Sequence, residues 1–125
     1  IASVKRIAVG NPASVPVGRY TMQALKKAGL QNALREKTIN TQNVRQSLDY
    51  VTRGEVDAGF VYATDAGIAA DKIRIAFTVP LNTTILYPIA LTRSSTNPDE
   101  ARAFVQYVLS PEGQTILARF GFLKP

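Results

Sequence analysis

Three short stretches of this chain offer hydrogen-bond donors without adding charge. They are Gly10-Asn11-Pro12-Ala13-Ser14-Val15-Pro16-Val17-Gly18, the pair Asn43-Val44, and Tyr62. In the first, an apolar run (Ile7, Ala8, Val9) gives way to a loop punctuated by Gly and Pro, then to a helical pattern. The first N–H groups of a helix have no intrahelical acceptor, and the helix dipole makes that end partly positive. Such an end accepts anions. Pro16 fixes a backbone angle beside the turn, and Gly18 leaves room for a ligand to approach. Asn43 and Val44 open a second helical pattern, and Tyr62 ends a strand-like run with a phenolic hydroxyl. Together such groups would hold a dianion in a dry pocket, each hydrogen bond to a charged oxygen contributing roughly 1.5–3 kcal/mol. Each also has a plainer reading. The loop is an ordinary strand-to-helix connection, Val44 is the first member of a core stripe, and Tyr62 is a structural tyrosine. Tyr20, Phe60 and Tyr87 read as core.

The elements that must position these groups follow from periodicity. Val4 to Val9 reads as a buried strand, and Gly18 to Ala28 as a helix with Ala24, Leu25 and Ala28 inward and Gly29 as its stop. A short helical piece over Ala33 to Glu36 precedes an edge strand at Thr38-Ile39. Thr41 can cap a second helix in which Val44, Leu48 and Val51 recur at helical spacing before Gly54. Glu55 to Tyr62 reads as a strand, and Ala63 starts a short helix with Thr64 or Asp65 as its cap. Ile73 to Val79 reads as a strand, and Ile85 to Leu91 as another that Pro88 confines to an edge. Asn97-Pro98-Asp99-Glu100 is a helix start, with Ala101, Phe104, Val105, Val108 and Leu109 on one face. Ser110-Pro111-Glu112 starts a last helix carrying Ile116, Leu117 and Phe120 and ending at Gly121. Strands alternating with helices predict an α/β fold whose largely parallel sheet presents its ligand edge at the strand ends.

Composition narrows the function. At 125 residues and 46% apolar content the chain suits one soluble globular domain, and no apolar run approaches the ~20 residues a membrane helix needs. It contains neither cysteine nor histidine, which removes thiol catalysis, the usual general base and the usual transition-metal ligand. An enzyme is therefore the remote reading. The formal charge of +6 is spread over scattered lysines and arginines with no aromatic interleaving, so a solvated basic surface is expected and nucleic acid is not a partner. The opening Ile1-Ala2-Ser3 reads as an excised or processed piece of something longer.

Here the residues carry a resemblance. Gly10-Asn11-Pro12 through Val15-Pro16-Val17-Gly18-Arg19-Tyr20, Val44-Arg45 with Leu48, Gly54 through Ala66, and Tyr87-Pro88-Ile89-Ala90 resemble the carboxy-terminal half of the periplasmic molybdate-binding proteins. Ser110-Pro111-Glu112-Gly113-Gln114 and Phe120-Gly121-Phe122 fit the same family, and the match runs through nearly the whole chain in order.

The resemblance implies one lobe of a type II periplasmic-binding-protein fold. It also implies a receptor that closes on molybdate or tungstate and delivers it to the permease of an ABC importer. Residues 4–82 would be the anion-binding second lobe. Residues 83–125 would be a hinge-crossing strand and carboxy-terminal helices that pack partly on a first lobe absent from this chain. Carried over, the ligand-binding groups are the amide of Val17, the amide of Val44 and the hydroxyl of Tyr62, with molybdenum held only as its oxyanion and no cofactor. The family often has Ala where this chain has Val17, a change that leaves the main-chain contact in place. Without the other lobe, the apolar faces of the last two helices would drive the chain to dimerise, by exchange of segments across Asn82 to Leu91. An effector-sensing domain of a transcription regulator, built on a related fold, and a receptor for sulfate remain alternatives.

Overall fold

The four residues Ile7–Gly10 form β1, and all four are buried. The computed structural model describes residues 3–81 and 83–124. In it β1 is the middle strand of a three-stranded parallel sheet of order β2-β1-β3, with β2 at Thr38–Thr41 and β3 at Ala58–Gly59. The register pairs Ile7 with Thr38 and Gly10 with Thr41 on one side, and Ile7 with Ala58 on the other. A central strand flanked by partners and packed under helices has no solvent face. Its sequence is therefore continuously apolar rather than alternating.

The helices are α1 (Pro16–Lys27), α2 (Gln31–Arg35), α3 (Val44–Thr52), α4 (Ala63–Ile68), α5 (Pro98–Leu109) and α6 (Pro111–Arg119). The chain divides into two compact units, Ile1–Asn82 and Thr83–Pro125. The first holds the sheet. Its core is Ile7, Val9, Leu25 and Leu34, with Val4, Met22, Leu30, Ala58 and Phe60 packed against it. Each such aliphatic side chain contributes roughly 1.5–3 kcal/mol by leaving water. Helix α1 buries Val17, Gly18, Thr21 and Leu25; of the expected inward residues Leu25 is buried, Ala24 is half-buried, and Ala28, already the cap residue, is exposed. Phe60 lies against the core as expected. Tyr20 is half-buried.

The glycine stops stand where the sequence puts them. Gly29, Gly54 and Gly121 are the described residues with positive φ, at 68°, 70° and 85°. At the end of α3, the Gly54 amide donates to the Val51 carbonyl (3.0 Å) and the Glu55 amide to the Tyr50 carbonyl (2.9 Å). This pair of bonds satisfies the last carbonyls of the helix and requires a left-handed residue at Gly54.

Several expectations give way. β1 starts at Ile7 rather than Val4, because the Asp57 carboxylate accepts the amides of Lys5 (2.7 Å) and Arg6 (2.9 Å) that a longer strand would have paired. The expected strand Glu55–Tyr62 contracts to Ala58–Gly59, flanked by single bonds from Asp57 N to Arg6 O and Phe60 N to Ala8 O. Thr41 does not cap α3; Asn43 does. Neither Thr64 nor Asp65 caps α4, which begins after Tyr62 without a side-chain cap. Among the described residues, Ile73–Val79 and Ile85–Leu91 form no strand. Their alternation supplies a face, but no described strand pairs with them, and Phe77 and Leu86 are exposed. Tyr87 is not core either. It is 59% exposed and meets Phe122 edge to face, with ring centroids 5.5 Å apart.

The second unit is built on α5 and α6, which pack against each other. Pro98 opens α5 as expected, although the Asn97 side chain makes no capping bond. Ser110 ends α5 and caps α6, its hydroxyl accepting from the Gly113 amide at 3.2 Å. A Cβ on Gly113 would overlap the Tyr107 carbonyl, so this corner is closed to larger residues. Helix α5 buries none of its residues, and Phe104, Tyr107 and Leu109 are exposed on it. Asn82, where the sequence shows a composition shift and the expected exchange segment begins, lies outside the described residues.

Candidate functional site

The sheet changes direction at β1. Following the chain, β2 is laid on one side of it and β3 on the other. In open α/β sheets the crevice outside the carboxyl ends at such a reversal is where ligands bind. All three residues singled out from the sequence leave the sheet at this edge. Val17 lies in the first turn of α1 after β1, Val44 is the first residue of α3 after β2, and Tyr62 immediately precedes α4 after β3. The register pairs Gly10 with Thr41, and the Asn11 amide donates to the Thr41 carbonyl at 2.8 Å. The exits of β1 and β2 are thereby fixed side by side.

The first turn of α1 is sparing with its donors. The N-cap is Val15, whose side chain has no acceptor, and Pro16 has no N–H. The amides of Gly18 and Arg19 both donate to the Val15 carbonyl, at 3.0 and 3.3 Å. Among the described residues this leaves the Val17 amide as the one donor of that turn without an acceptor. The Val17 carbonyl accepts from the buried Thr21 hydroxyl at 2.8 Å, which fixes the Val17–Gly18 peptide that follows the amide. The Val17 side chain is buried, and with Val15 it fills the space that a Cβ on Gly10 would need. Gly18 has a different purpose from the one its sequence context suggests. A Cβ there would overlap the Gly10 carbonyl, so the residue admits the backbone of β1 rather than a ligand.

The first turn of α3 is arranged by its cap. Asn43 Oδ1 accepts from the Gln46 amide at 2.9 Å, and Gln46 Oε1 accepts from the Gln42 amide at 2.7 Å. This is a reciprocal cap of the capping-box kind, displaced by one residue. Among the described residues it leaves the amides of Val44 and Arg45 without acceptors. Val44 is half-buried, consistent with both a packing side chain and a main chain open to a ligand. Behind it the Thr41 and Ser47 hydroxyls, both buried, meet at 2.7 Å and tie α3 to the end of β2. Tyr62 is half-buried and extended (φ −75°, ψ 156°), and its carbonyl accepts the Ala66 amide.

Sequence reasoning passed over one pair at this edge. Arg45 reaches across from α3 to Asp65 in the first turn of α4, Nη2 to Oδ1 at 3.8 Å. Burial pushes the Asp65 carboxyl up from its ordinary value, and the Arg45 guanidinium pulls it part of the way back. The signal was present in the sequence: a cation in a first helical turn that lacks any acid opposes the helix dipole. Among the described residues no cluster of three or more His, Cys, Asp or Glu could hold a metal ion. Among the described residues this edge offers main-chain amides without acceptors, at Val17, Val44 and Arg45, a chemistry suited to holding an anion.

A family model described as bacterial extracellular solute-binding protein matches residues 2–123. The chain is 34% identical to the molybdate-binding protein ModA of Escherichia coli, over 94% of this chain and 46% of that one. It is 36% identical to the proposed ABC transporter substrate-binding lipoprotein YvgL of Bacillus subtilis, over 98% of this chain and 47% of that one. Among solved structures it superposes, with a TM-score of 0.78 and 35% identity, on a substrate binding domain from Clostridium difficile ascribed to a proposed molybdenum ABC transporter. That superposition covers 98% of this chain and 54% of the other. The chain thus spans about half the length of the relatives it matches.

Proposed function

The chain belongs to the bacterial extracellular solute-binding proteins, and from that premise we propose that it is the oxyanion-holding lobe of a receptor that serves an ABC importer of molybdate or tungstate. The observation that carries this reading is the disposition of main-chain donors at the carboxyl edge of the sheet. Among the described residues, capping and proline chemistry leave the amides of Val17, Val44 and Arg45 without acceptors at the starts of α1 and α3. Tyr62 stands at the third exit from the same sheet. Val17 and Val44 would each donate a backbone N–H to one oxygen of the anion, and Tyr62 its hydroxyl. Neutral donors suit a dianion that must be released to a permease, because no bound countercharge has to be separated from it. The names of the E. coli and C. difficile proteins favour molybdate as the cargo.

In this reading the chain binds and does not catalyse, takes no cofactor, and works outside the cytoplasm as its family does. Residues 4–82 form the anion-binding lobe, and residues 83–125 supply the hinge crossing and the helices that meet a complementary lobe. On its own, this stretch of 125 residues would pair with a second copy through the exposed apolar side chains of α5 and α6, as a dimer. The test of the function is calorimetric titration of the complete two-lobed receptor with molybdate, tungstate and sulfate. Tight binding of the first two over sulfate supports the assignment. Preference for sulfate replaces the cargo, and absence of binding to all three removes the reading.

A further inference from the structure

The Arg45–Asp65 pair asks for an explanation that the oxyanion reading alone does not provide. Arg45 sits where the dipole of α3 disfavours a cation, and its side chain is 53% exposed, against 13% for Asp65. An ion pair this open adds little to folding. Yet it bridges the starts of two of the three helices that leave the sheet at the anion edge. Its arginine also follows directly on Val44, whose amide is a proposed donor. A free guanidinium there would attract any oxyanion by charge, whatever its size.

We propose that Arg45 and Asp65 set the charge of this edge: Asp65 neutralises Arg45, so the anion is met by neutral directed donors and is selected by hydrogen-bond geometry rather than by charge. The inference rests on the oxyanion reading above and deepens it. Arg45 is the one cationic side chain on α3, and it lies within ion-pair distance of Asp65. Removal of the carboxylate releases a cation at the edge, which speeds anion capture and makes it steeper in salt. Removal of the guanidinium leaves a carboxylate facing the anion and weakens the capture of every oxyanion alike.

The experiment is stopped-flow and calorimetric titration of the complete receptor with molybdate and with sulfate, over a range of salt, for four variants. Asp65→Asn should accelerate molybdate association by about threefold or more with a steeper salt dependence, and should raise sulfate affinity relative to molybdate. Arg45→Gln should lower both affinities by about tenfold, the size expected for a close like charge. The double variant Arg45→Gln/Asp65→Asn should return to within about threefold of the starting protein, since the two charge effects cancel. Arg45→Lys, which keeps the charge, should behave like the starting protein. If both single variants instead lower affinity and melting temperature alike and the double variant does not recover, the pair is a structural staple and the inference is overturned. If the unaltered receptor binds neither anion, the functional reading itself fails.

Discussion

The hydroxyls of Thr41 and Ser47 lie 2.7 Å apart, both side chains buried, and join the last residue of β2 to α3. Through this contact the turn that presents the Val44 amide is set by the position of the sheet. Ser47→Ala strands the Thr41 hydroxyl without a partner and should cost about 1–3 kcal/mol in urea unfolding. Thr41→Val with Ser47→Ala removes both polar groups and should cost less than the sum of the single changes. Additive single costs would show that the two hydroxyls do not depend on each other.

Asp57 contributes to the acid limb of stability. Its carboxylate accepts the Arg6 and Lys5 amides, and these bonds hold its pKa below the ordinary carboxylate value. The folded group therefore releases its proton more readily than the unfolded one. Its contribution is complete above the unfolded pKa and is lost as pH falls through the folded one. Asp57→Asn should lower the melting temperature at neutral pH and flatten the loss of stability on acidification. A variant whose acid profile overlays that of the starting protein would assign the acid limb to other carboxylates.

These two cases also mark where the sequence was legible. Periodicity and glycine placement gave β1, α1, α3, α5 and α6 to within a few residues, and the stops at Gly29, Gly54 and Gly121, because those signals are local. The choice of Asn43 over Thr41 as cap was not legible, since the Thr41 hydroxyl is claimed by Ser47, a tertiary partner. The early end of pairing before Ile7 depends on Asp57, more than fifty positions along the chain. The apolar alternation over 73–79 and 85–91 describes a face, whereas a strand also needs a neighbour, and alternation alone does not supply one. At the site, the helix starts of Val17 and Val44 could be read from Pro16 and Asn43, but the Arg45–Asp65 pairing needed two helices brought together.

Two glycines separate strain from contact. Gly54 has a φ of 70° and open space around its missing Cβ, so Gly54→Ala should cost only the left-handed penalty, about 1–2 kcal/mol. Gly18 lies inside α1, where a Cβ would overlap the Gly10 carbonyl. Gly18→Ala must push the first turn of α1 off β1, and should destabilise more and weaken anion binding as well. Equal costs in thermal melts, with binding intact, would contradict the close seating of α1 on β1.

Tyr62→Phe deletes one hydroxyl and leaves the ring. In the complete receptor it should weaken molybdate binding, measured by calorimetry, by about 1–3 kcal/mol. Unchanged affinity would return Tyr62 to a structural role.

Self-association follows from the apolar side chains left exposed on α5 and α6 and at the end of α6, among them Phe104, Leu109, Ile116 and Phe120. Sedimentation of the 125-residue chain at tens of micromolar should show a dimer. A monomer at that concentration, with no binding of an apolar dye, would mean that these faces need no cover.

The central claim is that a main-chain amide at the start of α1 holds the anion, and it is tested most directly by changing that single atom. Replacement of Val17 by its α-hydroxy acid, which converts the amide N–H to an ester oxygen and leaves the side chain in place, should weaken molybdate binding in calorimetry by roughly 1.5–3 kcal/mol. Affinity equal to that of the unaltered receptor would contradict the account.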